Sequence, residues 1–89
     1  HYAPKTPLKI NINKPNSEDA FLNFGSRIVT LHKPTLNLSE SSNLKEAAFN
    51  LFFFLRKLDK YNKKRIVVAP IPRNGIGKTI NERLQRASS

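Results

Sequence analysis

Arg65-Ile66-Val67-Val68-Ala69-Pro70-Ile71-Pro72-Arg73-Asn74-Gly75-Ile76-Gly77-Lys78-Thr79 is the stretch on which the fold of this 89-residue chain turns. Its apolar, β-branched run, Ile66 to Ala69, reads as a buried strand and stops at two prolines, which cannot extend a ladder. A glycine-containing turn follows. Ile76, Ile80, Leu84 and Ala87 then recur at helical spacing along one side of a helix from about Ile76 to Ala87. Strand, glycine loop and helix form a layout that points backbone N–H groups and the positive end of a helix dipole at an anion.

Upstream of this stretch, Leu44 to Lys60 is the clearest element. Leu44, Ala47, Ala48, Leu51, Leu55 and Leu58 fall on one helical stripe, flanked by Phe52 and Phe54. At about 100° per residue, Phe49 and Phe53 project to the opposite side, among Glu46, Arg56 and Lys60. Two phenylalanines on a polar face have two readings. Either a loop or second layer covers the back of the helix, or the pair is a docking surface for a partner domain. Ser39 to Asn43 is a polar turn that supplies helix caps.

The N-terminal half reads as strands. Leu8-Lys9-Ile10-Asn11-Ile12 alternates apolar and polar residues, as a half-buried strand does. Asn13 to Asp19 is a loop, and Ala20-Phe21-Leu22-Asn23-Phe24-Gly25 is a short strand ended by its glycine. Ile28-Val29-Thr30-Leu31 and Thr35-Leu36-Asn37-Leu38 are strand-like, and Pro34 between them puts at least one at an edge or in a loop. The order β-β-β-α-β-α predicts a small α/β sandwich of about four short strands, at least partly parallel, with two main helices. The helix from Leu44 can carry a crossover, so the strand before it and the strand at Ile66 are expected to be parallel. The first two strands, joined by a short loop, are either antiparallel neighbours or not neighbours at all.

Composition sets the outer limits. The length fits one domain. The chain has no cysteine, so disulfides and thiolate chemistry are excluded. No apolar run approaches the about 18 residues of a membrane span, and no signal-peptide pattern opens the sequence, so no membrane partner is expected and a cytoplasmic location is the default. The chain begins with His1-Tyr2-Ala3-Pro4 and reads as a piece of something longer, with residues 1–7 an extended, proline-containing linker and residues 8–89 the domain. The formal net charge of +10 suggests an anionic partner. Ten lysines and ten asparagines also fit the drift of an AT-rich genome at tolerant surface sites. Only Lys57, Lys60, Lys63, Lys64 and Arg65 cluster, with Tyr61 among them. Direct RNA binding there competes with a plain solvated basic turn, because stacking platforms normally carry several aromatics.

Catalytic and metal-binding groups are scarce. His1 and His32 have no partner at ligand spacing, so no metal site is expected. Glu18 and Asp19 are adjacent in a loop and would point apart, while Glu40, Glu46, Asp59 and Glu82 are isolated and read as solvated or capping. A phosphate-binding P-loop needs G-x-x-x-x-G-K-[ST]. Counting back from Gly77-Lys78-Thr79, its first glycine would stand at Pro72, which has no N–H and a fixed φ. The NTPase motif fails. A weaker role survives, in which Asn74, Gly75, Gly77, Lys78 and Thr79 hold one phosphate or carboxylate. The alternative is that the glycines only let the turn hug the sheet and supply positive φ.

Three co-linear motifs are similar to a known family: Asn50-Leu51-Phe52-x-x-Leu55-Arg56-x-Leu58-Asp59, then Val68-Ala69-Pro70-Ile71-Pro72, then Gly75-Ile76-Gly77-x-x-Ile80-Asn81-x-Arg83-Leu84-x-Arg86-Ala87. Together they resemble the C-terminal domain of the two-domain form of threonylcarbamoyl-AMP synthase, and His1-Tyr2-Ala3-Pro4 resembles the end of that family's interdomain linker. The resemblance implies a Rossmann-like fold and a non-catalytic accessory role. A separate N-terminal YrdC-like domain would make threonylcarbamoyl-AMP from threonine, bicarbonate and ATP, for threonylcarbamoyladenosine modification of tRNA. ATP and magnesium would then belong to that domain, with no cofactor in this chain. The link to tRNA would be indirect, and the chain alone is not expected to be an enzyme. By position, His1 and Tyr2 would lie near the catalytic pocket. The first crossover helix of longer members is reduced here to Asn13–Asp19. The alternative function is a stand-alone basic nucleotide- or tRNA-binding module using the Gly75–Thr79 loop.

Overall fold

The run Ile66-Val67-Val68 needs apolar cover on both faces, and the fold provides it by setting this strand inside a parallel sheet. The computed structural model of the chain describes residues 3–25 and 31–88. Strands β1 (Leu8–Lys9), β2 (Asp19–Asn23) and β3 (Thr35–Asn37) precede helix α1 (Leu44–Asp59), which is followed by β4 (Arg65–Val68) and helix α2 (Ile76–Ser88). The sheet order is β1-β4-β2-β3, and every ladder is parallel. Ile66 registers with Leu8 on one side and Ala20 on the other. Ile66, Val67 and Val68 are wholly buried.

The expected α/β architecture is present, and its strand directions answer the question left open at β1 and β2. These strands are not neighbours, since β4 separates them. β3 and β4 are parallel, with β2 between them. The segment joining β1 to β2 crosses the sheet without a helix. Asn11 turns the chain at φ 61°, which ends β1 short of Ile12, yet the Ile12 amide still donates to the Val68 carbonyl at 2.9 Å.

Alternation along the strands splits the core in two. Ala20, Leu22, Ile66 and Val68 face the helices and join Leu51, Leu55, Leu58, Ile80 and Leu84. On the other side Phe21, Val67 and Ala69 cluster under Ile12, and the His32 ring stands edge-on to Phe21. Among the described residues both helices therefore lie on one face of the sheet and loops cover the other.

Several boundaries differ from the sequence reading. Ile28 to Thr30 lie outside the described residues. Leu31 is exposed and outside any strand, because pairing with β2 starts only at Pro34, whose carbonyl accepts from the Phe21 amide at 3.0 Å. β3 is an edge strand, the position that the neighbouring proline requires. On α1 the buried line is Ala47, Leu51, Leu55 and Leu58, while Ala48 is exposed, rotated just past the rim. On α2 Ile76 is exposed and the inner line is Gly77, Ile80, Asn81 and Leu84. Ile80, Leu84 and Ala87 keep their expected places against the core, and only Ile76 gives way to Gly77, which lies against the Pro72 carbonyl. The polar turn before α1 caps it as expected. The Asn43 side chain accepts from the Glu46 amide at 2.9 Å, and Glu46 in turn accepts from the Ser39 hydroxyl at 2.6 Å.

Candidate functional site

The glycine loop leaves the C-terminal end of β4, an inner strand of the sheet, which is where open parallel sheets commonly place ligands. Gly75 has φ 55°, a left-handed conformation that glycine adopts without strain. Gly77 is required for a different reason, since a Cβ there would stand 1.9 Å from the Pro72 carbonyl oxygen. One turn later Asn81 is buried, and its Nδ2 donates toward the carbonyls of Ile71 at 3.0 Å, Pro72 at 3.3 Å and Gly77 at 2.8 Å. Gly77 permits the close approach of α2 to the loop, and Asn81 locks it. The amides of Gly77 and Lys78 donate to the carbonyls of Asn74 and Gly75, at 2.9 and 3.1 Å. Asn74 and the side chains of Lys78 and Thr79 are exposed beside them.

Asn50 and Asp59, from the α1 motif, act in a comparable way. Asn50 Nδ2 donates to the Leu38 carbonyl at 2.9 Å, tying α1 to the end of β3. Asp59, read from sequence as isolated and solvated or capping, is buried instead. Its carboxylate accepts from the Lys5 amide at 3.1 Å, the Thr6 amide at 3.0 Å and the Thr6 hydroxyl. The Pro7 carbonyl then accepts from the Ile66 amide at 2.8 Å. The last residues of the linker-like segment are thus fastened to the C-terminal end of α1. His1 and Tyr2 lie outside the described residues.

Asp19 also departs from its loop reading. It opens β2, in register with Arg65 at the start of β4, and is fully buried. Arg65 Nε and Nη2 donate to its two carboxylate oxygens at 2.9 and 3.0 Å, and the Asn16 amide adds a third bond at 2.9 Å. Burial pushes the Asp19 carboxyl up. The hydrogen bonds from Arg65 and Asn16, with the charges of Arg65 and His32, outweigh it and hold the group below the usual carboxylate range. The same pairing raises Arg65 further. Glu18 points the other way, to Lys64 at 3.6 Å.

The outer face of α1 is where unassigned chemistry collects. Phe49 is 87% exposed and Phe53 53% exposed, so among the described residues no layer covers the back of the helix at these positions. Phe53 touches Phe54, with ring centroids 5.9 Å apart, and Lys57 Nζ lies 5.3 Å from the Phe53 centroid. Phe49, Phe53 and Lys57 follow one another at four-residue spacing along α1, and Tyr61 stands exposed just beyond the end of the helix. Near its end opens a cleft of about 560 Å³ lined by Lys33, Pro34, Thr35, Leu36, Lys57, Tyr61 and Lys63. Sequence reasoning named Lys57, Tyr61 and Lys63 but missed Lys33, Pro34 and Leu36. No local pattern joins them to α1, and only the position of β3 at the sheet edge does so.

His32 is occupied structurally: Nδ1 pairs with the Thr35 hydroxyl at 3.0 Å and Nε2 with the Asn16 carbonyl at 2.8 Å. Among the described residues no group of three or more His, Cys, Asp or Glu could hold a metal ion, and no helix is long and apolar enough to cross a membrane. The family model described as the C-terminal domain of threonylcarbamoyl-AMP synthase matches residues 1–89. A search among curated proteins finds no match.

Proposed function

The chain belongs to the family of threonylcarbamoyl-AMP synthase C-terminal domains, and from that premise we propose that it is a non-catalytic accessory domain, acting through its linker and its contacts with a YrdC-like catalytic domain. That partner makes threonylcarbamoyl-AMP from threonine, bicarbonate and ATP, with ATP and magnesium bound on the catalytic side, and the product serves tRNA modification in the cytoplasm. The observation that carries the reading is the exposed pair Phe49 and Phe53 on α1. Large apolar side chains held out from a small domain favour a partner surface. The Asp59 clamp on Lys5 and Thr6 supports it further, because a pull on the linker would reach this same helix.

The test is Phe49→Lys combined with Phe53→Lys in the full chain, titrated calorimetrically against a separately expressed YrdC-like domain. Circular dichroism and melting temperature should be unchanged, and affinity should fall about 100-fold or more, given about 1.5–3 kcal/mol for burying each phenylalanine. Unfolding of the double variant, or unchanged affinity, overturns the reading. A second reading, a stand-alone nucleotide- or tRNA-binding module at Asn74–Thr79, draws on the exposed Lys78 and on an α2 first turn without acidic residues. It draws less from the loop amides, two of which are taken by Asn74 and Gly75. Amide shifts at Gly75–Thr79 on adding ATP or tRNA would support it, and their absence would remove it.

A further inference from the structure

We propose that the cleft between β3 and the C-terminal end of α1 binds a short segment of a single-stranded polynucleotide, with one base stacked on Tyr61 and three successive backbone phosphates met by Lys33, Lys57 and Lys63. The site is distinct from the glycine loop and adjoins the Phe49–Phe53 pair, because Lys57 lines the cleft and also lies 5.3 Å from the Phe53 ring. Its lining combines three lysines, one aromatic ring, the apolar surfaces of Pro34 and Leu36, and one threonine, with no carboxylate among the described residues. The volume of about 560 Å³ falls within the range of small-ligand sites.

Each component selects against a different alternative. Lysines alone would bind any polyanion, but a ring that is 60% exposed beside them offers a face on which a base can stack whatever its sequence. An acidic peptide would use the lysines and leave the ring idle. Thr35 already bonds His32 through its hydroxyl, so the cleft has little with which to read base edges, and sequence-tolerant binding follows. Lys60 is also exposed beside Tyr61 and extends the positive field along a strand running past the cleft, whereas Lys64 is paired with Glu18. The aromatics that the linear sequence lacks around Lys57–Arg65 are replaced by a fold-built pocket, since β3 brings its own lysine and apolar floor to Tyr61.

The experiment is fluorescence anisotropy with the full chain and labelled single-stranded RNA and DNA oligomers of the same sequence, from about 50 to about 200 mM salt. Binding with a log–log salt slope near −2 is expected, about −0.7 for each of three lysine–phosphate contacts. Tyr61→Ala should weaken binding about 5- to 150-fold with the slope kept, and Tyr61→Phe should restore it. Lys33→Ala with Lys63→Ala should reduce the slope by about 1.4, whereas Lys9→Ala with Lys45→Ala, equal in charge but away from the cleft, should not. Tyr61, Lys9, Lys33 and Lys45 are exposed and Lys63 is half-buried, and each variant should leave the circular dichroism spectrum unchanged. The proposal is overturned if Tyr61→Ala binds like the wild type, if the control pair costs as much as the cleft pair, or if polyglutamate displaces the oligomer as well as unlabelled RNA does. Any of these results leaves the Phe49–Phe53 docking test untouched.

Discussion

Replacing Gly77 by alanine would place a methyl carbon 1.9 Å from the Pro72 carbonyl oxygen and 3.0 Å from its carbonyl carbon. Even a close carbon–oxygen contact lies near about 3.3 Å, so the start of α2 must retreat from the loop by more than about 1 Å. Leu44 Cδ1 at 3.4 Å leaves no slack on its side. The retreat also stretches the Asn81 bonds to Ile71 and Pro72, now 3.0 and 3.3 Å, beyond useful length. Strain of about 1–3 kcal/mol and about 1 kcal/mol for the Asn81 bonds are offset by up to about 1 kcal/mol of helix propensity. A loss of about 2 kcal/mol remains. For a domain of this size that lowers Tm by about 8–16 °C. Gly75→Ala is the control: nothing lies within 4 Å of its added carbon and only its φ of 55° opposes it, at about 1–2 kcal/mol. Urea and thermal unfolding followed by circular dichroism should therefore rank Gly77→Ala as the more damaging, and Asn81→Ala should add little to it. If Gly77→Ala is as stable as the wild type, or Gly75→Ala is clearly worse, the close-approach argument is wrong.

Asp59→Ala should cost about 2–3 kcal/mol through three lost bonds to a carboxylate. It should also speed hydrogen exchange at the Lys5 and Thr6 amides, and unchanged exchange there would contradict the clamp. Because the folded-state pKa of Asp19 is depressed, its contribution to stability is complete above the unfolded carboxylate value near about 3.9 and is lost as pH falls through the lower folded value. Asp19→Asn should therefore lower Tm at neutral pH and flatten its fall in acid, which thermal melts across that range would check. Leu55→Ala, at a fully buried position, should cost about 2–5 kcal/mol by cavity formation, measured by urea unfolding.

Much of the architecture is legible in the sequence because periodicity carries it. The 3.6-residue stripe of α1 and the β-branched run of β4 each force their element and its burial. Two features escape for a common physical reason. That β4 inserts between β1 and β2 depends on non-local pairing, and the loop Asn13–Asp19, too short for a helix, gives no direct sign that it crosses a strand. Only the first residue of the inner line of α2 is misplaced, because apolar spacing points to Ile76, whereas close backbone approach selects Gly77. Charge is the least legible property. Asp19 reads as a loop residue and Asp59 as solvated or capping, and only the register with Arg65 and the return of residues 5–6 to the end of α1 explain their burial.

The motifs that carry the family resemblance prove to be architectural. Asn50, Asp59 and Asn81 each bind backbone groups of another segment, and Gly77 is the point at which α2 meets the loop. A motif whose polar atoms are consumed in joining elements has little left for a ligand, since a bond offered outward would leave a buried carbonyl or amide unpaired, at about 1–3 kcal/mol each. These four residues therefore specify the scaffold, while Arg56, Arg83 and Arg86 of the same motifs are exposed, and function is to be sought on exposed surfaces. Two such surfaces are the outer face of α1 and the cleft beside β3, where Phe49, Phe53 and Tyr61 are exposed. Substitutions in the two sets should separate cleanly. Changes at Asn50, Asp59, Gly77 or Asn81 should lower stability, and changes at Phe49, Phe53 or Tyr61 should leave stability intact and alter only association.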